Sequence, residues 1–201
     1  METSQGMTTF DHIARVLALR RPAILEPHSR TRAAVALILA EKEEGPEVLF
    51  IVRAFRDGDP WSGDIGFPGG KLEAEDTTSR QAAERETLEE IGLDLGCSRY
   101  LGHLCDIAGS RLPVLVSCHL YGAGDIPPFI LSHEVRELFW VLLSDLDSPA
   151  RHITAPVQFG GEVLVQPAIL LPQAGKPLLW GITYRFVMEF LRIFRDSASS
   201  D

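Results

Sequence analysis

Apolar residues recur at Phe10, Ile13, Val16 and Leu17 within TTFDHIARVLALRRP (residues 8–22). That spacing predicts a helix, and Pro22 is expected to stop it. After a linker with a second proline, RAAVALILAEK is apolar enough for a buried strand. EEGP then predicts a turn and EVLFIVRAF a second strand, so the pair is expected to form a hairpin. From Arg56 to Gly70 the periodicity is lost. RDGDPWSGDIGFPGG is dense in Gly, Pro and Asp and predicts a loop, of a length that tends to carry function. A helix is expected from about Thr77 to Ile91, with Asp76 or Thr77 as its N-cap and Gly92 as its stop. Strand signals return in RYLGHLCDIA, LPVLVSCHLYGA and EVRELFWVLL, and FGGEVLVQPAILL adds a short strand pair. Residues 178–195 have the length and periodicity of a final helix, and the tail DSASSD predicts fraying. Helix, strands, central helix, strands and helix, without βαβ alternation, indicate an α+β fold or an α/β/α sandwich.

Composition narrows the picture. A chain of 201 residues can build one domain with a proper core, and a second would be cramped. The expected organisation is one domain over 1–201, with helix and linker over 1–30 and a frayed tail over 196–201. The net charge of −9 argues against a nucleic-acid partner. It leaves room for a small anionic substrate, because a metal or a local arginine cluster can override the global charge. Cys97, Cys105 and Cys118 fit no zinc spacing, and their odd number argues against a disulfide framework. They read as buried reduced thiols, which points to a cytoplasmic protein. METSQGMTTFDH lacks the basic start and apolar run of a signal peptide. The longest apolar run, Ala33 to Ala40, falls far short of the roughly 20 residues that span a bilayer, so no membrane partner is expected. The terminal helices carry enough apolar surface to support a homodimer, and equally to pack on their own domain.

The stretch GGKLEAEDTTSRQAAERETLEEIGL changes the picture most. It sets Glu86, Glu89 and Glu90 close together near the end of the central helix. Like charges one turn apart cost a few tenths of a kcal/mol per pair, and a bound cation would compensate them. Each helical residue advances about 100°, so Glu86 and Glu90 share a stripe and Glu89 lies beside them. Ala83 and Thr87 are small enough to face the core, so the carboxylates are expected to point together, away from it. Hard divalent cations prefer such oxygen ligands and often complete their shell with substrate phosphates. Gly69 and Gly70 follow a proline where the backbone must turn tightly or approach a ligand.

This stretch resembles the Nudix box, G-x5-E-x7-R-E-U-x-E-E-x-G-U with U aliphatic. Gly70, Arg85, Glu86, Glu89, Glu90, Gly92 and Leu93 occupy its positions. Asp76 stands at the first glutamate, one extra residue precedes Arg85, and Thr87 replaces an aliphatic residue. The coenzyme A diphosphatase branch carries a similar insertion and aspartate, with an upstream motif resembling R-x5-H-x-G-Q-V-x-F-P-G-G. Here Ser62, Gly63, Phe67, Pro68, Gly69 and Gly70 fit it loosely. Asp64 replaces the glutamine, and a Trp-Ser pair stands where the histidine is expected. EVRELFWVLLSDL and LLWGITYRFV, with its WG-x-T element, also resemble that branch.

The resemblance implies a Nudix-type α/β/α sandwich with a mixed β-sheet and a loop–helix–loop catalytic motif. It implies Mg²⁺- or Mn²⁺-dependent hydrolysis of a nucleoside diphosphate linked to another moiety, coenzyme A or acyl-CoA first among them. Under it Glu86 and Glu90 are the principal metal ligands, and Glu89 is a third ligand or the base for the attacking water. The Gly70 carbonyl completes a metal shell, Arg85 orients a carboxylate, and Asp76 supports Arg85 or caps the helix. Glu134 is a candidate base outside the box, against a reading as a plain surface turn residue, and His133 beside it reads as exposed. Arg53 and Arg56 are candidate phosphate grips, Trp61 a stacking platform for adenine and Phe67 part of the same wall. The bland alternatives make Arg53 a solvated strand residue and Trp61 a small core plug. Trp140 and Trp180 read as core, and His103 and His119 as structural. Two other functions stay open: the same chemistry on ADP-ribose, a dinucleotide or a nucleoside triphosphate, and a nucleotide sensor that has lost turnover. The three retained carboxylates argue against the sensor.

Overall fold

A computed structural model describes residues 8–124 and 126–198. The first seven residues of the segment assessed as a signal peptide lie outside it, as do residues 199–201 of the tail. Helix α1 (Thr9–Ala18) begins at a capping box, with Thr8 and Asp11 satisfying each other's backbone N–H groups. It ends four residues before Pro22. Strands β1 (Thr31–Lys42) and β2 (Gly45–Arg53) form the expected hairpin, with Leu39 opposite Val48. The predicted loop 56–70 is structured at its far end. There β3 (Ile65–Gly66) pairs with β2, and β4 (Gly69–Lys71) pairs antiparallel with β1. Two-residue strands leave no periodicity for a sequence to show.

Helix α2 (Ser79–Ile91) follows, then β5 (Arg99–His103), β6 (Ile107–Ala108), β7 (Val114–Ala123) and β8 (Val135–Leu142). A short α3 (Leu143–Asp147) leads to a hairpin of β9 (His152–Phe159) and β10 (Glu162–Ile169). Its first strand lies upstream of the expected pair. Pro156 interrupts the strand signal there, and it is tolerated because β9 is an edge strand. Strand β11 (Leu179–Trp180) and helix α4 (Gly181–Ala198) close the described chain. The helix continues through residues 196–198, where fraying was expected.

The main sheet runs β3-β2-β1-β7-β5, with β4 on β1, β6 on β7 and β8 on β2. β1 and β7 are parallel and the other pairs antiparallel, so the sheet is mixed. Alternation along β1 and β2 sets the layers. Leu37, Leu39, Val48 and Phe50 pack with Ile13 of α1 and Phe186 and Phe190 of α4. Ala34, Ala36, Ile38, Leu49 and Ile51 pack with Ala82, Ala83 and Ile91 of α2. Burial on both faces explains why these strands read as continuous apolar runs. Small residues at Ala34, Ala36, Ala82 and Ala83 let α2 lie close to the sheet. The result is the α/β/α sandwich of an α+β chain.

The three thiols are free, but only Cys118 is buried; Cys105 is half-buried and Cys97 exposed at the end of a short 3-10 turn. Among the described residues, no helix is long and apolar enough to cross a membrane.

Candidate active site

Helix α2 is capped by Thr78, whose hydroxyl accepts the Gln81 N–H at 3.1 Å. The extra residue ahead of Arg85 moves the cap past Asp76 and Thr77, the expected positions. Asp76 instead accepts the Glu73 N–H at 2.8 Å and two donors of Arg85, Nη2 at 2.9 Å and Nε at 3.3 Å. The Arg85 guanidinium holds the Asp76 carboxyl below its ordinary pKa. Arg85 also reaches Glu86 Oε1 at 3.0 Å, Glu89 Oε2 at 3.2 Å and the Lys71 carbonyl at 3.1 Å. One planar fork thus ties β4, the start of the box and two carboxylates together. At the other end Gly92 takes a left-handed φ of 72° and stops the helix as expected.

The carboxylates do not all point outward. Glu90 is only 3% exposed and accepts the Gly69 N–H at 2.9 Å. It belongs to the stripe of Ala82, Ala83, Thr87 and Ile91 that faces the sheet. Thr87 fits there because its hydroxyl bonds back to the Ala83 carbonyl at 2.6 Å. Burial pushes the Glu90 carboxyl up to about 7; the Gly69 N–H and Arg53 pull it down, while Glu86 and Glu134 push it further up. Glu86 is also raised, first by burial. Glu89 has a side chain 58% exposed and leans on Arg85.

Gly69 and Gly70 make this geometry possible. A Cβ at Gly69 would stand 2.2 Å from the Ala34 carbonyl oxygen, and φ there is 146°. A Cβ at Gly70 would stand 2.3 Å from Glu86 Cδ. The Glu86 carboxylate therefore lies directly against the Gly70 backbone.

The segment before β8 docks on the end of α2. Ile130 N–H donates to the Ile91 carbonyl at 3.1 Å, and Ser132 N–H to the Glu90 carbonyl at 2.8 Å. This brings Glu134 close enough for its charge to raise both Glu86 and Glu90. Glu134 pairs with Arg56 at 2.9 Å, and Arg56 also meets His133 Nε2 at 3.1 Å. Arg53 pairs with Asp59 at 2.8 Å, and its Nε is buried without a partner.

A cavity of about 550 Å³ opens from Gly69, Gly70 and Lys71. Arg53, Trp61 and Phe67 line it, whereas Arg56 does not. Phe67 is buried against Phe50, ring centroids 5.2 Å apart, and shows the cavity only part of its ring. Lining residues from outside the expected set include Asp64, Phe159 and Trp180. Trp180 was expected in the core; it borders the cavity because β11 turns it toward Asp64, to which its Nε1–H donates at 3.1 Å. Trp140 is partly buried on the α2 side, with Lys42 Nζ 5.6 Å from its ring centre. His103 and His119 stack 4.7 Å apart, and His119 bridges Ser79 Oγ and Tyr100 OH.

Among the described residues, no three His, Cys, Asp or Glu side chains converge on one point. The donor chemistry nonetheless fits a hard divalent cation. Glu86 and Glu90 are two partly or fully buried carboxylates set at the Gly69–Gly70 backbone, and burial disfavours their charged forms, a cost that a cation beside them would offset. Two carboxylates with backbone oxygen leave the remaining positions to water and phosphate, the composition Mg²⁺ favours.

The sequence profile of the NUDIX domain matches residues 29–159, well over half of the chain. The chain belongs to the Nudix family. It is 33% identical to the human mitochondrial coenzyme A diphosphatase NUDT8 over 57% of this chain and 49% of that protein. It is 44% identical to an uncharacterized protein of Schizosaccharomyces pombe over 32% of this chain and 24% of that one. The chain thus spans half or less of the length of these relatives. Its fold resembles that of the MutT protein from Methanosarcina mazei Go1, with a TM-score of 0.51 at 21% identity, covering 89% of this chain and 97% of that one.

Proposed function

We propose that this chain is a divalent-cation-dependent Nudix hydrolase acting on a nucleoside diphosphate linked to another moiety. Coenzyme A or acyl-CoA is the substrate that this reading favours, giving 3′,5′-ADP and (acyl)phosphopantetheine. The carrying observation is the placement of Glu86 and Glu90 at the Gly69–Gly70 backbone, where the cavity opens. The likeness to a coenzyme A diphosphatase supports the choice of substrate.

Glu86, Glu90 and the Gly70 carbonyl are the residues that would hold Mg²⁺ or Mn²⁺. When bound, such ions offset charge on phosphate oxygens and lower the pKa of bound water. Arg85 fixes Glu86 and Glu89 in place by charge-assisted hydrogen bonds, and Asp76 fixes Arg85. Glu134 and Glu89 are the two candidates to take a proton from water. Glu134 is favoured because Ser132 and Ile130 anchor its segment to α2 and its charge acts on both Glu86 and Glu90, although each candidate is held by an arginine, Glu134 by Arg56 and Glu89 by Arg85. Arg53 lines the cavity with Lys71, Arg111 and Arg185 and is the one we assign to phosphate, and Trp61 offers a ring face to a base. Arg56 acts on Glu134 rather than on substrate in this reading.

The described chain works as one catalytic unit here, and two copies need not associate. The thiols are compatible with a cytoplasmic location, while the human relative is named mitochondrial. A second reading, another nucleotide conjugate such as ADP-ribose, is favoured by Trp61 and Asp64 standing where the coenzyme A branch has histidine and glutamine.

The test is a panel of coenzyme A, acyl-CoA, ADP-ribose, NADH, a diadenosine polyphosphate and nucleoside triphosphates with Mg²⁺ or Mn²⁺. Release of 3′,5′-ADP from coenzyme A, abolished in Glu86→Gln and Glu90→Gln, is the expected result. Preferential turnover of another member would replace the substrate and keep the chemistry. Binding without any turnover would leave a sensor.

A further inference from the structure

Beyond Gly69 and Gly70, the wall of the cavity is built by residues distant in sequence. Trp180 on β11 is held by β10, where it pairs with Ala168. Phe159, at the end of β9, packs edge-on to Trp180 at 5.9 Å and tilted against Trp61 at 6.1 Å. Three aromatic rings therefore stand in a row along one side of the cavity. Such a wall suits a planar ring, since aromatic faces and edges attract one another and exclude water.

One carboxylate interrupts this apolar surface. Asp64 lines the cavity and is half-buried. Its Oδ1 accepts the Trp180 Nε1–H at 3.1 Å, and that is the only hydrogen bond its side chain makes among the described residues. Arg53, whose charge acts on Asp64, pairs through Nη2 with Asp59 at 2.8 Å rather than with Asp64. An ionised carboxylate accepts at both oxygens, so a ligand donor can be received at the oxygen that Trp180 does not occupy. The second oxygen, Oδ2, has no hydrogen-bond partner among the described residues and stays open to the cavity. The indole N–H also fixes orientation, because it can satisfy only an acceptor.

We infer that Asp64 is a specificity-determining residue: the cavity seats a nucleobase along the Trp61–Phe159–Trp180 wall, and Asp64 accepts a hydrogen bond from an amino group on the ring edge. The inference rests on the reading of the chain as a hydrolase of nucleotide conjugates and deepens it by naming the half of the substrate that enters the cavity. Adenine presents an amino donor at position 6, where hypoxanthine presents a carbonyl acceptor. At that position Asp64 favours the first over the second, and hypoxanthine's remaining edge donor, N1–H, would reach it only with the ring displaced. Trp180 is a positioning residue, since it acts on the base only through Asp64 and through the shape of the wall.

Equilibrium binding of ADP and IDP, read by quenching of tryptophan fluorescence, tests this without turnover. The wild type is expected to bind ADP roughly 10- to 100-fold more tightly than IDP, the cost of leaving a charged hydrogen-bonding group unpaired. In Asp64→Asn the carbonyl oxygen must still face the Trp180 N–H, so the amide –NH₂ faces the cavity. Selectivity should then reverse toward IDP. Trp180→Phe keeps an aromatic wall and frees Asp64 to rotate; it should weaken both ligands and narrow the ratio between them. Equal affinity of the wild type for ADP and IDP would overturn the inference alone, provided that conjugates are still hydrolysed. Failure to bind either, together with loss of turnover, would overturn the functional reading as well. An unchanged ADP preference in a folded Asp64→Asn protein would also overturn the role given to Asp64. Should that variant not fold, the wild-type ratio and Trp180→Phe still decide.

Discussion

The loop–helix from Gly69 to Gly92 and the wall carrying Phe159 and Trp180 border the same cavity, but opposite forces hold them. In the loop–helix, charges do the positioning. Arg85 joins Asp76, Glu86, Glu89 and the Lys71 carbonyl, and Gly69 donates to buried Glu90. Gly69 and Gly70 have no room for a single additional carbon. In the wall, rings pack 5.9 to 6.1 Å apart, and one hydrogen bond, from Trp180 to Asp64, spans the gap to the opposite loop. Directional contacts fix atoms to within tenths of an ångström, as chemistry at a phosphate needs. Apolar packing fixes volume and shape, as selection among ring systems needs.

Substitutions can sharpen this contrast. Glu86→Gln is expected to have the largest effect, lowering kcat by roughly 10²-fold or more while the protein unfolds at a similar temperature. Initial rates at saturating cation, set beside thermal melts, measure both. Gly70→Ala should come close, because its Cβ would displace the Glu86 carboxylate. A Gly70→Ala enzyme with normal kcat would show that the close approach has no catalytic meaning. Arg85→Lys retains the charge but loses the fork, and a loss of about 10- to 100-fold is expected. In the wall, Phe159→Leu should raise KM about 3- to 10-fold with kcat nearly unchanged, since it removes ring contact shared by ground and transition states. A fall in kcat instead would break the division between the two regions.

A further contrast concerns stability. The Glu90 carboxyl is raised from 4.5 to about 7, so the native state holds a proton there that the unfolded chain releases. Without divalent cation, stability should therefore fall as pH rises through 4.5 to 7, by on the order of 3 kcal/mol. His119 works in the other direction. Burial depresses it from 6.5 to about 3, so its contribution falls as pH drops below 6.5. Urea unfolding across this range should show a flattened profile in the wild type. Glu90→Gln should remove the alkaline loss, expose the acid loss and raise the melting temperature of the cation-free protein. Added Mg²⁺ should stabilise the wild type more than Glu90→Gln.

The regions also differ in how far they could be read beforehand. The box is a continuous run of 25 residues or so, and its signals are local: Gly92 takes the left-handed φ that ends α2, and Arg85 reaches residues within one or two turns and the preceding strand. Even there, the outward direction expected for Glu90 was wrong, because helical spacing gives relative angles but not the rotation of the helix on the sheet. Ala34 and Ala36 settle that rotation from across the sheet. The Asp64–Trp180 bond joins residues 116 positions apart, and no local pattern announces it. The WG-x-T segment did mark Trp180, but apolar periodicity placed it in the core.

The family signature, the longer strands and helices, the candidate carboxylates and the glycines around them were legible in the chain, because short-range spacing and backbone preference carry that information. Packing between distant elements set the rest: Glu90 is buried against Gly69, and Arg53 opens to the cavity while Arg56 pairs with Glu134. It also decided that β9, β10 and β11 bring Phe159 and Trp180 over the loop holding Trp61 and Asp64. Long-range packing sets these juxtapositions, and it depends on how whole layers fit together rather than on any one segment.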